Sequence, residues 1–388
     1  MKLATYMVTA LALASALAVV SPAAAATAPC NDIAEGRCKI QLSTGITMAY
    51  VETGPETGQP VILLHGFTDS IRAWSSAMRA LHKNDPDLRV LAVDLRGHGA
   101  TDMPPGTSCA PAPERCFRPA DLAEDVVAFM KAKGINKATL VGHSYGSFVV
   151  QEISLTHPAM VDRAILVATT TKGVGNPVIR DYVLNEPVEG SWKKALEARG
   201  KRYPDDFYEL TPTDADPRAE EWVSKNWAVD PAADPATLVP LIPETSHVRL
   251  GTWIGVAKNV LVLDNTDRLR NLAVPALVIW GTQDNILPDE PDQKAVKQAL
   301  EAATKAHGTV AYWKQYGVLP LPPSGAQETD VGHSAQWDAP EAMAADIDSF
   351  VRTGAPTKDL PHSDKAPNVN HMVLEPGKAI VQRFGAQS

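Results

Sequence analysis

Residues 141–146 read Val141-Gly142-His143-Ser144-Tyr145-Gly146 and continue the apolar, β-type run 138–141. A serine framed by glycines two residues to either side is typical of a strand that turns sharply into a helix. In such a turn the serine adopts a strained backbone that lifts its hydroxyl above the sheet, and the glycines let two backbone segments pass close together. The alternative is a strand followed by a glycine-rich loop with an idle serine, and the rest of the chain decides between the two.

Apolar runs and helical patterns alternate on both sides of this stretch. Wholly apolar runs fit strands buried on both faces of a parallel sheet; they lie at 61–64, 90–93, 164–168 and 276–280. Helical patterns lie at 71–81, 120–133, 145–156, 292–305 and 340–351, and a predicted hairpin at 39–51. The alternation predicts an α/β fold with a mostly parallel, doubly wound sheet.

The pattern changes between residues 170 and 262, where helical segments such as 192–199 and 220–228 are broken by prolines and aromatic residues. We interpret this part as a helical cap inserted into the sheet domain. The predicted organisation is a signal peptide at 1–26, a first part of the core at 27–169, the cap at 170–262, a second part of the core at 263–353 and a C-terminal tail at 354–388.

The first 26 residues have the pattern of a secretory signal peptide. Lys2 is followed by an apolar stretch at 10–20 and by small residues at 21–26. The alternative, a retained membrane span, is disfavoured because the apolar stretch is short. We therefore expect an exported protein, periplasmic or extracellular, without a membrane anchor after cleavage.

The composition is that of a globular protein with a sizeable core, since 45% of the 388 residues are hydrophobic and 21% are charged. The chain has 36 basic and 45 acidic residues, and loss of Lys2 with the signal peptide leaves 35 against 45, a net charge of −10. This acidic balance argues against nucleic acid as a partner.

The four cysteines form two close pairs, Cys30 with Cys38 and Cys109 with Cys116. In an exported protein this spacing suggests two small disulfide rings, each stabilising the fold by roughly 2–3 kcal/mol through loop closure. Metal ligation is the competing interpretation, but the chain has no CxxC or HxxxH spacing to support it. We expect neither a metal nor a cofactor.

A serine nucleophile needs a histidine base and a carboxylate that orients the histidine. Asp284 follows the apolar run 276–280, and His333 precedes the last predicted helix, so the order along the chain is serine, aspartate, histidine. The competing acids and bases are Asp264, Asp267, Asp289, His307, His362 and His371. None of these histidines lies between a late strand and the last helix.

These motifs, together with His65-Gly66-Phe67 and the run Asp94-Leu95-Arg96-Gly97-His98-Gly99, resemble the α/β-hydrolase superfamily. The resemblance covers about residues 38–353 and points to the capped branch, which includes epoxide hydrolases, haloalkane dehalogenases, lactonases and carbon–carbon bond hydrolases. Asp94 and His98 are expected to support a turn beside the site, and His65 and His143 to support functional backbone.

The resemblance implies a role for each matching residue. Ser144 would be the nucleophile, His333 the general base and acid, and Asp284 the carboxylate that orients the imidazole. The backbone N–H groups of Phe67 and Tyr145 would form the oxyanion hole.

The nucleophile separates the branches of this superfamily. Epoxide hydrolases and dehalogenases resemble each other in carrying aspartate at the elbow, where this chain has Ser144, and Thr68 stands where epoxide hydrolases tend to have proline. The expected function is a serine esterase or lactonase that forms an acyl-enzyme on a small apolar or aromatic ester-type substrate, with Trp74 and Phe148 as candidate substrate-binding residues.

Alternative functions use the same triad. They are carbon–carbon bond hydrolysis, or peracid formation as in cofactor-free haloperoxidases. A hydrolase-shaped binding protein without turnover is the non-enzymatic alternative. An insertion at 314–330 could line the mouth of the pocket, and its role, the tail and the oligomeric state stay open.

Overall fold

The computed structural model of the protein describes residues 30–31, 33, 36–227, 230, 233–319, 330–363 and 372–386. The predicted signal peptide, His371 and residues 320–329 of the insertion lie outside the described residues.

In the described part of the chain, a nine-stranded sheet forms the centre of the fold, in the order β1-β2-β4-β3-β5-β6-β7-β8-β11. Strands β4, β3, β5, β6, β7 and β8 run parallel, whereas β1, β2 and β11 pair antiparallel with their neighbours. The prediction of a mostly parallel α/β sheet is confirmed. The strands are β1 Cys38–Gln41, β2 Thr47–Thr53, β3 Pro60–Leu64, β4 Arg89–Val93, β5 Ala138–His143, β6 Val161–Val167, β7 Ala276–Gly281, β8 Ala311–Tyr316, β9 Leu360–Ser363, β10 Met372–Glu375 and β11 Val381–Phe384.

Helices cover both faces of the sheet. They are α1 Ser75–Asn84, α2 Gly106–Cys109, α3 Pro119–Ala132, α4 Tyr145–Thr156, α5 Lys193–Glu197, α6 Pro212–Ala215, α7 Ala219–Asn226, α8 Pro235–Ser246, α9 Leu250–Val260, α10 Lys294–His307, α11 Ala335–Asp338 and α12 Pro340–Thr353. Successive strand residues point to opposite faces. Leu140 of β5 accordingly packs in the core shared with α3, α4 and α10, and Val141 in the core shared with α1 and α12.

The part predicted as a cap is helical. It contains α5 to α9 and a preceding helical segment, Val178–Trp192, which is kinked at Glu186. Trp192 and Trp222 pack edge to face, with ring centroids 5.5 Å apart, and both contact Trp253. This tryptophan cluster joins the core on the α3 and α4 face of the sheet, so the helical part and the sheet share one apolar interior. The division into domains at 170 and 262 stays a prediction.

Residues after α12 pack on the edge of the sheet. Strands β9 and β10 form an antiparallel pair, and β11 pairs antiparallel with β8, with Val381 opposite Lys314 and Phe384 opposite Ala311. The side chain of Phe384 is buried in the core. The described part of the predicted tail therefore completes the sheet.

Both cysteine pairs lie at disulfide-bonding distance, with Cα atoms 5.2 Å apart for Cys30 and Cys38 and 5.9 Å apart for Cys109 and Cys116. Arg37 lies within the first ring. Its guanidinium donates to Asp94 Oδ2 at 3.0 Å and to Glu244 Oε1 of α8 at 2.7 Å. The first ring thus connects the sheet to a helix of the predicted cap.

Candidate active site

Ser144 lies in a strained turn between β5 and α4. Its backbone has φ 50° and ψ −118°, a conformation that costs a non-glycine residue of order 1–3 kcal/mol. A Cβ at Gly142 would lie 2.3 Å from the carbonyl oxygen of Gly146, and one at Gly146 would lie 2.5 Å from that of His65. Only glycine fits at these two positions, as the sequence pattern predicted.

His333 and Asp284 are joined directly. His333 Nδ1 lies 2.9 Å from Asp284 Oδ1, which also accepts the backbone N–H groups of Ile286 and Leu287 at 3.0 and 2.9 Å. Because a carboxylate only accepts, Nδ1 carries the hydrogen and Nε2 of the neutral imidazole is free to take a proton. The two backbone donors fix the carboxylate and, through it, the orientation of the ring.

Three carboxylates surround the imidazole of His333. Burial disfavours the imidazolium and lowers its pKa, but Asp284, Asp230 and Asp69 outweigh burial and raise the pKa of His333 above its ordinary value of 6.5. The charges therefore favour proton uptake by His333.

Ser144 and His333 line the same cavity, which has a volume of about 560 Å³. Phe67, Tyr145 and Phe148 also line it, together with Trp222, Trp227 and Trp337. Among the described residues no hydrogen bond joins Ser144 Oγ to His333, and such bonds often tighten only when substrate is bound. The cavity places a nucleophile and a base beside several aromatic side chains.

The two predicted oxyanion donors lie at the same cavity. Tyr145 is the first residue of α4, where a backbone N–H has no partner within the helix. Phe67 lies in the loop after β3, next to Thr68, which has φ 62°. These positions fit the expected donors, and the assignment itself stays a prediction.

Trp227, which sequence reasoning left as one of several aromatic residues of the cap, contacts this loop. Its Nε1 donates to Thr68 Oγ1 at 2.7 Å, and Thr68 Oγ1 donates to the carbonyl oxygen of Phe67 at 2.7 Å. The indole also packs edge to face on Phe67, with ring centroids 5.8 Å apart. Trp227 therefore holds the loop that carries one expected oxyanion donor.

The remaining motif residues support backbone. His65 Nε2 accepts the backbone N–H of Leu95 at 3.0 Å, so Nδ1 carries the hydrogen and donates to the carbonyl oxygen of Gly66 at 2.8 Å. Burial lowers the pKa of His65 and of His98 to about 3, which keeps both neutral. Asp94 accepts the N–H groups of Ile71 and Ala100. These contacts match the supporting roles expected from the sequence.

Trp74 does not line the cavity, so the prediction that its side chain contacts substrate is wrong. Its side chain is fully buried and packs in the core shared with α1 and α12. It ends a single helical turn, Ile71–Trp74, that directs the indole into that core. Phe148 lines the cavity, and its role in substrate binding stays a prediction.

The competing histidines and acids lie elsewhere. His307 ends α10 on the surface, and His362 lies in β9. Asp264 pairs with Thr266, and the carboxylate of Asp267 is 95% exposed. None of these side chains lines the cavity with Ser144.

Two acids that line the cavity and act on His333 were not singled out from the sequence. Asp69 is the second residue after Phe67, so the loop motif itself could have pointed to it. Asp230 belongs to the predicted cap, and its Oδ1 accepts the backbone N–H of Ser334 at 3.0 Å. Burial raises the pKa of Asp230, although the nearby His333 opposes this. No sequence motif marks Asp230.

In the ranges given above, no group of three or more histidine, cysteine, aspartate or glutamate side chains is placed to hold a metal ion. No helix there is both long enough and apolar enough to cross a membrane.

The sequence profile of the alpha/beta hydrolase fold family matches residues 59–305, more than half of the chain, and the protein belongs to this family. His333 follows the matched range. The chain is 29% identical over 162 residues to epoxide hydrolase 4 of Mus musculus, a match covering 41% of each chain. It is 31% identical over 160 residues to bifunctional epoxide hydrolase 2 of Rattus norvegicus, covering 41% of this chain and 26% of the relative. The matched stretches thus span less than half of these relatives.

Solved structures of a lactonase and an esterase share the fold of this chain. The enol-lactonase from Burkholderia xenovorans is 19% identical, with a TM-score of 0.55, covering 81% of this chain and 100% of its own. An esterase from a Rhodococcus species is 23% identical, with a TM-score of 0.54, covering 82% and 98%. At these identities the likeness shows the fold alone. The family match and the shared fold thus agree that the protein has the alpha/beta hydrolase fold.

Proposed function

We propose that the protein is a serine hydrolase that cleaves carboxylic esters or lactones through an acyl-enzyme on Ser144. The observation that carries the proposal is the bond between His333 Nδ1 and Asp284 Oδ1 at the cavity that Ser144 also lines. A nucleophile, a base and an orienting acid are the parts that acyl transfer needs.

The proposed reaction gives each of these residues a role. His333 Nε2 takes the proton of Ser144 Oγ as the oxygen attacks the ester carbon, and the carbonyl oxygen becomes an oxyanion facing the N–H groups of Phe67 and Tyr145. His333 then gives its proton to the leaving alkoxide. Water attacks the acyl-enzyme, with His333 again taking and returning a proton, which releases the acid and restores Ser144.

Ser144 favours ester over epoxide chemistry. The relatives named as epoxide hydrolases match this chain only in part, and the resemblance associates epoxide opening with aspartate at the elbow. A serine there forms an ester with an acyl group and regains its hydroxyl when water cleaves that ester. The aromatic side chains at the cavity support a small apolar or aromatic acyl group, because aromatic side chains bury large apolar areas.

We also propose that the mature protein acts in the periplasm or outside the cell, since residues 1–26 have the pattern of a signal peptide. N-terminal sequencing of protein recovered from the separated cell fractions tests this. A cytoplasmic protein that still begins at Met1 would contradict it.

The test of activity compares the wild type with Ser144→Ala on p-nitrophenyl esters and lactones. We expect the variant to lose more than about a thousandfold in kcat/KM and to resist a fluorophosphonate probe that labels the wild type at Ser144. Ser191→Ala, at an exposed serine, is the matched control and should behave as the wild type. Undiminished hydrolysis by Ser144→Ala would overturn the proposal.

A further inference from the structure

The chain between α7 and α8 is hydrogen-bonded to two loops of the active site. Trp227, which follows α7, donates through Nε1 to Thr68 Oγ1 in the loop after β3 at 2.7 Å. Asp230, which precedes α8, accepts the backbone N–H of Ser334 through Oδ1 at 3.0 Å. The predicted cap is therefore bonded both to the loop of one expected oxyanion donor and to the loop that carries His333.

The bond to Asp230 restrains the backbone next to His333. Ser334 directly follows His333, and both residues line the cavity together with Asp230. His333 Nδ1 bonds to Asp284 Oδ1 at 2.9 Å, so Asp284 orients the ring while Asp230 holds the main chain from which the ring extends. Hydrogen bonds to an ionised carboxylate are stronger than those between neutral groups. The histidine is thus held from two sides, by the loop after β7 and by the predicted cap.

The charge of Asp230 also acts on His333. The imidazole is faced by the carboxylates of Asp284, Asp230 and Asp69 and by the ring of His143, whose centroid lies 5.1 Å from that of His333. Burial lowers the pKa of His333, and the three carboxylates raise it. Burial in turn raises the pKa of Asp230, whereas His333 and His143 favour its ionised form. Asp230 and a protonated His333 therefore stabilise each other.

Such a charge acts mainly in the transition state. In the proposed reaction His333 is neutral before Ser144 attacks and becomes an imidazolium as the oxyanion forms. A carboxylate near the ring stabilises this developing charge more than it stabilises the bound substrate. It therefore raises kcat and has little effect on substrate affinity.

We propose that Asp230 is a positioning residue of the reaction, which fixes the loop of His333 through Ser334 and adds negative charge near the imidazolium. This inference rests on the proposed ester-hydrolase function. It makes the predicted cap part of the catalytic machinery, because the sheet domain supplies the triad and the cap supplies this carboxylate.

The experiment compares Asp230→Asn with the wild type in p-nitrophenyl butyrate hydrolysis as the pH is lowered. Asparagine keeps an oxygen that can accept the N–H of Ser334 and removes the charge. We expect kcat to fall by roughly five- to thirtyfold, with a smaller change in KM, because a charge-assisted bond is replaced by a neutral one. The acid limb of kcat/KM should move to lower pH, since the loss of this carboxylate lowers the pKa of His333.

Asp234→Asn is the matched control. Asp234 also precedes α8 and accepts the backbone N–H of Ala236 at 2.8 Å, but it is exposed and is not among the residues that line the cavity. Asparagine caps a helix about as well as aspartate, so this variant should keep the wild-type kcat and acid limb.

Two further measurements separate charge from folding. Asp230→Glu keeps the charge, and its acid limb should stay at the wild-type position. Titration of active sites with the fluorophosphonate probe counts the competent molecules, so kcat per site is defined even for a variant that folds only in part.

The outcomes separate the two proposals. A kcat for Asp230→Asn within about twofold of the wild type, or an acid limb that stays in place, would overturn the inference and leave the ester-hydrolase function standing. An acid limb displaced equally in Asp230→Asn and Asp230→Glu would also overturn it, because the shape of the side chain and not its charge would then decide. If the wild type hydrolyses no p-nitrophenyl ester or lactone, the proposed function itself fails.

Discussion

Replacing Asp284 by asparagine changes one charge at the centre of the site while keeping the shape of the side chain. Oδ1 of Asp284 accepts three donors, the Nδ1–H of His333 and the N–H groups of Ile286 and Leu287. The asparagine oxygen can still accept from the two backbone groups. The variant loses the negative charge that stabilises the imidazolium, and an NH₂ group turned toward His333 would favour the wrong tautomer.

The expected effect is a loss of roughly a thousand- to ten-thousandfold in kcat, the size typical of removing the orienting carboxylate from such a triad. At 1.36 kcal/mol for each factor of ten, this raises the barrier by about 4–5 kcal/mol. The structure supports a value in this range because Asp284 is buried and contacts His333 directly at 2.9 Å, so little solvent screens the charge.

The pH dependence gives a second readout. Catalysis needs neutral His333, so kcat/KM falls as the pH drops through the pKa of this residue. Asp284 raises that pKa and burial lowers it; without the carboxylate the pKa falls, and the acid limb of the profile moves to lower pH.

Rates of p-nitrophenyl butyrate hydrolysis between about pH 4.5 and 9, a range that brackets the ordinary histidine pKa of about 6.5, measure both effects. Asp267→Asn is the matched control at an exposed carboxylate. A loss of less than about tenfold, or an acid limb that stays in place, would refute the triad assignment of Asp284.

Two further predictions concern groups around the site. Trp227→Phe removes the N–H that donates to Thr68 Oγ1 but keeps an aromatic ring against Phe67. We expect kcat to fall by roughly five- to thirtyfold with a smaller change in KM, as for a lost hydrogen bond of about 1–2 kcal/mol. An unaltered kcat in steady-state assays would contradict this role of Trp227. His65 and His98 have a pKa of about 3 when folded against about 6.5 when unfolded, so only the unfolded chain takes up these protons as the pH falls between those values. The free energy of unfolding should therefore decrease toward low pH by up to about 1.4 kcal/mol per pH unit for each histidine, while His333 acts in the opposite sense. His98→Gln should reduce the difference in melting temperature between pH 7 and pH 5, and the same difference as in the wild type would count against this explanation.

The central motifs could be predicted from sequence because their chemistry is local. The turn at Ser144 needs glycine two residues to either side, and both positions leave no space for a Cβ in the structure. Asp284 follows a buried strand and His333 precedes a helix, so sheet topology alone brings them to one edge. Their direct bond then follows from the fold.

Other features depend on distant packing and left no local signal. Asp230 reaches Ser334 across 104 positions of sequence, and nothing near Asp230 marks it as part of a site. Helix α8 contains Pro240 and Pro243, which ordinarily interrupt helices, and the sequence pattern there did not predict it. Trp74 shares the apolar character of the true lining residues, and only the turn before α1 decides which way its indole points.

Strand β11 has only four residues, two of them polar, so its partner could not be foreseen from the sequence, yet its position has a consequence for solubility. Residues 381–384 cover the outer edge of β8, and β8 is the last of the parallel strands on that side. A chain lacking β11 would present the unpaired N–H and C=O groups of β8 to solvent, a template on which strands of other molecules could add. By pairing with β8, the four residues of β11 prevent edge-to-edge aggregation of the sheet, a role separate from the chemistry at Ser144.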